Sequence, residues 1–219
     1  MRKDFVTAII AVVVFHFAFG LVYPLVTEGV SQGLFPGKAN GSKVYVDGKL
    51  AGSSLIGQSF EKPVIGKNGK PELDKNGNPV ETPDPRYFQE RPSATTPAWN
   101  PSATTFSNYG PNSTISEAAF ASNIQSYIQL EGPYTPGLTA AKVPVDAVNT
   151  SASGVDPDIS QANAWIQANR IATVRHLPLA VVDHLISSNT DGRSLGVLGE
   201  PGVNVLKLNI AIDHAAPTT

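Results

Sequence analysis

Residues Phe5 to Val26 read FVTAIIAVVVFHFAFGLVYPLV, twenty-two positions without an Asp, Glu, Lys or Arg. A helix of that length rises roughly 33 Å, enough to cross the hydrocarbon core of a bilayer at about 30 Å. Arg2 and Lys3 precede the run, and no basic cluster follows it closely. The positive-inside bias therefore leaves the N-terminus in the cytoplasm and sends the remainder outside. Tyr23 suits the outer interface, and Pro24 stands near the outer end, where a kink costs little. A cleaved signal peptide is the rival reading. Ala18-Phe19-Gly20 has cleavage-like spacing, although the apolar region of a signal peptide usually spans only about 7–15 residues. A buried core helix would need a polar face, which is almost absent here. His16 inside the span reads either as part of an ion path or as a neutral imidazole bonded to a neighbouring helix. One helix cannot line a pore, which favours the second.

Outward from this segment, residues 1–4 are expected to be a cytoplasmic N-terminus and 27–42 a neck, flexible over Gly29 to Asn40. Residues 43–213 are expected to form an extracytoplasmic α+β domain, and 214–219 a frayed tail. Val44 to Ile56 predicts a β-hairpin, because Asp47-Gly48 suits a type I′ turn. Residues 61–85 hold Asn68-Gly69 and Asn76-Gly77 and read as a surface insertion. Thr114 and Glu117 have capping-box spacing, and Phe120, Ile124, Tyr127 and Ile128 then give one apolar helical face that ends at Gly132-Pro133. A second helix is expected after Ser160, burying Trp165 and Ile166, and a third from Pro178 to Ser188. Leu206, Leu208, Ile210 and Ile212 alternate within Asn204 to Asp213, which predicts a half-buried strand. Trp165, Phe120 and Tyr127 are expected in the core.

Composition narrows the function. A net charge of -2 over 219 residues gives no electrostatic case for nucleic acid. With no cysteine, disulfides, thiolate metal sites and thiol nucleophiles are excluded. Charged residues reach only 16%, while 19 Gly and 18 Pro predict a loop-rich domain. There is no Asp-Lys-Thr-Gly-Thr phosphorylation motif, and Gly37-Lys38 is followed by Ala39 rather than the hydroxyl a Walker loop needs. No Thr-Val-Gly-Tyr-Gly filter is present. His16, His176, His184 and His214 lack metal-site spacing. Asp183-His184 has no nucleophile elbow to complete a hydrolase triad.

Several stretches resemble the C subunit of the Kdp potassium-transporting P-type ATPase. They begin with the apolar helix and Tyr23-Pro24-Leu25, followed by Gly52-Ser53-Ser54-Leu55-Ile56-Gly57-Gln58 and Tyr87-Phe88-Gln89-Glu90-Arg91-Pro92-Ser93-Ala94. Val143-Pro144-Val145-Asp146 leads into Ser151-Ala152-Ser153-Gly154-Val155-Asp156-Pro157-Asp158. Gln167-Ala168-Asn169-Arg170, Gly192-Arg193-Ser194-Leu195-Gly196-Val197-Leu198-Gly199-Glu200-Pro201 and Val203-Asn204-Val205-Leu206 complete the set. The order is the family's. The departures are Ala152 for a usual glycine, Asp158 for a histidine and Gly202 for an arginine.

The resemblance implies an accessory subunit of an ATP-driven potassium importer, without an active site or cofactor of its own, ATP and potassium acting elsewhere in the complex. Its implied partners are a channel-like potassium-binding subunit, a P-type ATP-hydrolysing subunit, a small hydrophobic subunit and the lipid of a bacterial cytoplasmic (inner) membrane. The family is assigned a chaperone-like role that raises ATP affinity. Candidate partner contacts are Gln58, Arg91, Ser93, Ser153, Asp156, Arg193, Glu200 and Asn204. Each also has a plain reading as an edge strand, a local ion pair or turn chemistry. A membrane-anchored ligand-binding protein and a hydrolase using Asp183 or His184 stand as alternatives.

Overall fold

The computed structural model describes residues 2–110 and 112–216. They divide into two units, one ending at Ser53 and the other beginning at Ser54.

In the first unit a continuous helical run spans Arg2–Leu34. It comprises α1 (Arg2–Phe17), a π-helical turn (Ala18–Val22) and α2 (Tyr23–Leu34). The helix is long and apolar enough to cross a membrane, and none of its most apolar stretch is buried by the protein. The π turn has a local cause. Pro24 lacks an N–H, and its ring would press on the carbonyl four residues back, so a wider turn just ahead of it relieves the clash. The Tyr23 amide closes that turn on the Ala18 carbonyl. His16 bonds within its own helix: Nδ1 lies 2.8 Å from the Val12 carbonyl oxygen, which can only accept. Past Val26 the chain stays helical to Leu34, and α3 (Pro36–Ala39) follows, so most of the segment expected to be flexible is helix. The hairpin of β1 (Lys43–Val46) and β2 (Lys49–Ser53) turns at Asp47 and Gly48, with φ of 50° and 76° as a type I′ turn requires.

In the second unit β3 (Glu61–Pro63) pairs antiparallel with β4 (Glu81–Pro83), and residues between them form an exposed ribbon with single bridges at Ile65–Pro71 and Leu73–Pro79. Helix α4 (Thr114–Glu131) is capped by the Ser113 hydroxyl, which accepts from the Ser116 amide, so the cap falls one residue before the expected Thr114. A small antiparallel sheet has β7 (Gly202–Asn204) at its centre, between β5 (Asp158–Ile159) and β6 (Thr190–Asp191). Around it pack α5 (Gln161–Val174), α6 (Leu179–Ser188) and α7 (Val205–Ala215). Phe88, Ile159, Ile171, Val182, Ile186, Val203, Leu208 and Ile212 form the core.

Two further expectations fail. Asn204 to Asp213 is not a strand: only 202–204 pair, and the rest is α7. Its buried residues are Val205, Leu206, Leu208, Asn209 and Ile212, a helical period that the alternating leucines and isoleucines conceal. The Asn204 side chain caps this helix by accepting from the Lys207 amide at 3.2 Å. Trp165 is 48% exposed and Phe120 38%, so neither is core. Helix α5 instead buries Asn163, Ala164, Gln167, Ala168, Arg170 and Ile171.

Those buried polar groups hold the backbone of residues 85–89, which belongs to no strand. Gln167 accepts from the Gln89 amide at 2.7 Å and donates to its carbonyl at 3.1 Å. Asn209 does the same for Phe88, at 2.8 and 2.9 Å. Each side-chain amide thus replaces a neighbouring strand. Arg170, fully buried, donates to Glu131 at 2.9 and 3.1 Å, to the carbonyls of Pro85 and Tyr87 at 2.6 and 2.9 Å, and to Gln167 at 3.0 Å. Arg175 ties the Arg86 and Ala216 carbonyls together, pairs with Asp213, and lies over the Tyr87 ring.

Removing one partner of a buried pair strands the other charge, at a cost of about 3–5 kcal/mol. Glu131→Gln is therefore expected to destabilise the second unit by that amount. Urea unfolding of the full chain in detergent, followed by the fluorescence of Trp99 and Trp165, measures it. Glu117→Gln on the exposed start of α4 should stay within about 0.5 kcal/mol, and equal effects for the two would refute the assignment.

Candidate functional site

Beyond the clamped segment the chain runs through Glu90, Arg91 and Ser93 into a loop junction with residues 149–158. Arg91 donates to Asp156 at 3.0 Å and to the carbonyls of Thr150 and Asn149 at 3.2 and 3.4 Å. Its cation is thus spent locally. The Ser93 hydroxyl donates to the Gly154 carbonyl at 2.7 Å and accepts from the amides of Trp99 at 2.9 Å and Thr95 at 3.3 Å. Ser153 accepts from the Val155 amide through its hydroxyl at 3.3 Å, and its carbonyl receives the Thr105 amide at 3.1 Å. Gly154 sits at φ 75°, and a Cβ there would meet the Thr105 carbonyl oxygen at 2.6 Å, so no larger residue fits without a shift.

Gln58 follows Gly57, whose amide bonds to the Val155 carbonyl at 2.8 Å. A Cβ on Gly57 would lie 2.5 Å from the Trp99 ring. Asn204 reaches the junction from the other side, donating to the Ser54 carbonyl at 3.0 Å and to Asp158 at 3.1 Å. Burial pushes the Asp158 carboxyl up, and the Asn204 bond opposes that. Gln58, Arg91, Ser93, Ser153, Asp156 and Asn204 therefore gather around one junction. Arg193 and Glu200 do not join it. They pair with each other at 2.7 Å at the base of another loop.

Glu90 was not among the candidates that the sequence suggested. Both of its carboxyl oxygens are buried without a hydrogen-bond partner. The Gln58 backbone amide favours the ionised form without reaching bonding geometry. Burial pushes this carboxyl well above its ordinary range, and Asp156 and Asp158 push it the same way. Glu90 lines a recess of about 270 Å³ together with Gln58, Phe60, Trp99, Asn123 and Tyr127. Among the described residues no group of three His, Asp, Glu or Cys side chains is placed to hold a metal ion. His184 is exposed on α6, and the Asp183 carbonyl receives the Ser187 hydroxyl.

The family model described as "K+-transporting ATPase, c chain" matches residues 5–214. The chain belongs to the KdpC family. The potassium-transporting ATPase KdpC subunit of Methylococcus capsulatus is 43% identical over 214 residues, covering 97% of this chain and 98% of that protein. Those of Bradyrhizobium diazoefficiens and Streptomyces coelicolor are each 40% identical, covering 99% and 95% of this chain and 99% and 91% of those proteins. Asp158 and Gly202 prove to be neighbours. A Cβ on Gly202 would lie 3.1 Å from that of Asp158, so the small residue at 202 and the acid at 158 share one space.

The Glu90 carboxyl has a sign-definite consequence. Its folded pKa lies above the unfolded one, so its protonation stabilises the fold fully below the unfolded value. That contribution is lost as pH rises through the folded value. Glu90→Gln is expected to match the wild type near pH 3.5 and to be more stable by about 1–3 kcal/mol near pH 8. Urea unfolding of both chains at the two pH values measures it, and a constant difference would contradict the buried, unpartnered carboxyl.

Proposed function

We propose that this chain is the non-catalytic subunit of an ATP-driven potassium importer and that it assembles and stabilises that complex. The relation to KdpC subunits over nearly its whole length carries the reading. The apolar run Arg2–Leu34 supports anchorage by one span in a bacterial cytoplasmic membrane. Arg2 and Lys3 support a cytoplasmic N-terminus, with the domain from Lys43 onward outside.

Its partners in this reading are a channel-like potassium-binding subunit, a P-type subunit that hydrolyses ATP and a small hydrophobic subunit. It has no cofactor of its own, and ATP and potassium act on the other chains. With this topology nearly all of the chain lies across the membrane from ATP. A rise in the catalytic subunit's ATP affinity is then a coupling transmitted through the partner subunits rather than a nucleotide contact. The recess beside Glu90 favours a second reading, a membrane-anchored protein that binds a small ligand outside the cell.

Affinity purification of the tagged full chain from detergent-solubilised membranes separates the two. The subunit reading expects two large multi-span partners and potassium-stimulated ATPase activity in the eluate, and loss of potassium uptake when the chain is deleted. A chain that emerges alone, or unchanged uptake without it, supports the second reading and sinks the first.

A further inference from the structure

The ribbon between β3 and β4 repeats one short unit. The bridge Ile65–Pro71 recurs as Leu73–Pro79. The Gly66 amide bonds to the Lys70 carbonyl at 2.9 Å, and the Asp74 amide to that of Asn78 at 2.8 Å. Each unit turns through the same tripeptide, Lys67-Asn68-Gly69 and Lys75-Asn76-Gly77, and both tips are exposed. The Gly69 amide donates to the Gly66 carbonyl and the Gly77 amide to that of Asp74, both at 3.0 Å. Gly69 and Gly77 hold φ of 73° and 84°, and a Cβ at either would meet nothing within 4 Å. The two glycine nitrogens thus share one open setting. The asparagine side chains before them do not. Asn68 Oδ1 accepts from the Lys70 amide at 3.0 Å. An Asx bond of this kind folds the carboxamide back over the following peptide. In the second unit Asp74 takes that role, accepting from the amides of Asn76 and Asn78, both at 2.8 Å. The Asn78 amide is the counterpart of the Lys70 amide, so it is lost to Asn76, whose carboxamide nitrogen donates to Asp74 at 3.5 Å instead. The Asn78 and Asn76 amides hold the Asp74 carboxyl below its ordinary range, so it stays charged beside Asn76. Gly66, at the equivalent place in the first unit, has no side chain to compete.

We propose that Asn68-Gly69 is a self-modifying site, at which the chain converts its own side-chain amide to an acid. The Gly69 backbone nitrogen attacks Asn68 Cγ. The new N–C bond closes a five-membered succinimide, and the side-chain nitrogen leaves as ammonia with the Gly69 amide proton. Water then opens the ring at either carbonyl, leaving an aspartyl or an isoaspartyl residue. Water is the only co-reactant, and nothing is oxidised or reduced. Negative charge gathers on the attacking nitrogen and then on the carboxamide oxygen. The Lys70 N–H already bonds that oxygen and stabilises the charge. At Asn76 the ionised Asp74 faces the same step and opposes it, as one anion opposes another nearby. Asn40-Gly41 is the remaining pair of this kind in the sequence, and its carboxamide is tied down. Asn40 Nδ2 donates to Gln32 at 2.9 Å and to the Pro36 carbonyl at 2.8 Å. Conversion at position 68 adds one negative charge to the formal -2 of the chain, at a tip that carries Lys67 and Lys70. The isoaspartyl product also lengthens the backbone there.

The site stands independently of the potassium-importer reading, and the full chain in detergent suffices to test it. The chain is held in warm, mildly alkaline buffer, digested at acid pH and mapped by mass spectrometry, with chromatography separating the aspartyl and isoaspartyl peptides. The folded chain is expected to convert at Asn68 about fivefold or more faster than at Asn76, the rate that one hydrogen bond to the developing charge supplies. In urea the two sites keep only their shared tripeptide and should convert at nearly equal rates. Two substitutions exchange the settings. Asp74→Gly frees the Asn78 amide and should bring Asn76 up to the rate of Asn68. Gly66→Asp places a carboxylate where Asp74 stands in the second unit and should bring Asn68 down to the rate of Asn76. A Cβ at position 66 would lie 3.2 Å from Glu72 Cγ and 3.3 Å from Asn68 Oδ1, both ends of exposed side chains that can shift. Equal rates at Asn68 and Asn76 in the folded chain overturn the proposal. So does a ratio that persists in urea, or one that neither substitution changes.

Discussion

The buried contact between Arg170 and Glu131 sets the arrangement of the second unit. Both side chains are fully buried, and the guanidinium donates to four different residues from three parts of the chain. A charge removed from water is tolerated only with a partner and with its remaining donors satisfied. The observed placement of α4, α5 and residues 85–87 meets that demand. Such a pair adds little net stability over an apolar substitute of equal volume. Its effect here is to fix where an irregular segment runs. Gln167 and Asn209 extend that control to Phe88 and Gln89, and the next residues, Glu90 to Ser93, enter the loop junction already positioned.

This explains which parts of the fold were legible beforehand. The apolar run, the type I′ hairpin and helices α4, α5 and α6 announce themselves by local signals: uncharged length, Asp-Gly, the Thr114–Glu117 spacing one residue past the true cap, Ser160 and Pro178. Helix α7 does not, because Leu206, Leu208, Ile210 and Ile212 satisfy a period of two while the buried set satisfies the helical one. The Asn204 cap was the signal that could have decided it. Trp165 was misplaced for a related reason. Size suggests burial, but α5 turns its amide and guanidinium face inward, since the groups it must bond are backbone groups. Hydropathy alone has no means of seeing a core built to serve an irregular segment.

The candidate site was legible in part. Arg91, Ser93, Ser153 and Asp156 were singled out with no knowledge that they meet, and they do meet, at one junction. Their polar groups are turned on one another: Arg91 on Asp156, Ser93 on Gly154. Glu90 was invisible, because an unpartnered buried carboxyl is a property of its surroundings rather than of its neighbours in sequence. Asp158 and Gly202, distant in sequence, came into view as a pair only through the register of β5 against β7.

A division of labour follows from these placements. The stretches that mark the family fall into two physical groups. One group, from Tyr87 to Ser93 apart from the unpartnered Glu90, from Ser151 to Asp158 and from Gln167 to Arg170, is consumed by internal hydrogen bonds and ion pairs. A side chain whose donors and acceptors are already satisfied gains little by facing a partner, because a new bond must first break an old one. The other group, around Val145 and from Leu195 to Leu198, leaves large apolar side chains in water, with Val145 at 74% exposure. Burying such side chains against a partner breaks no bond and releases hydration water. The polar residues that look most chemical thus build the scaffold, and the plain apolar residues at Val145 and on the 192–201 loop are left facing solvent.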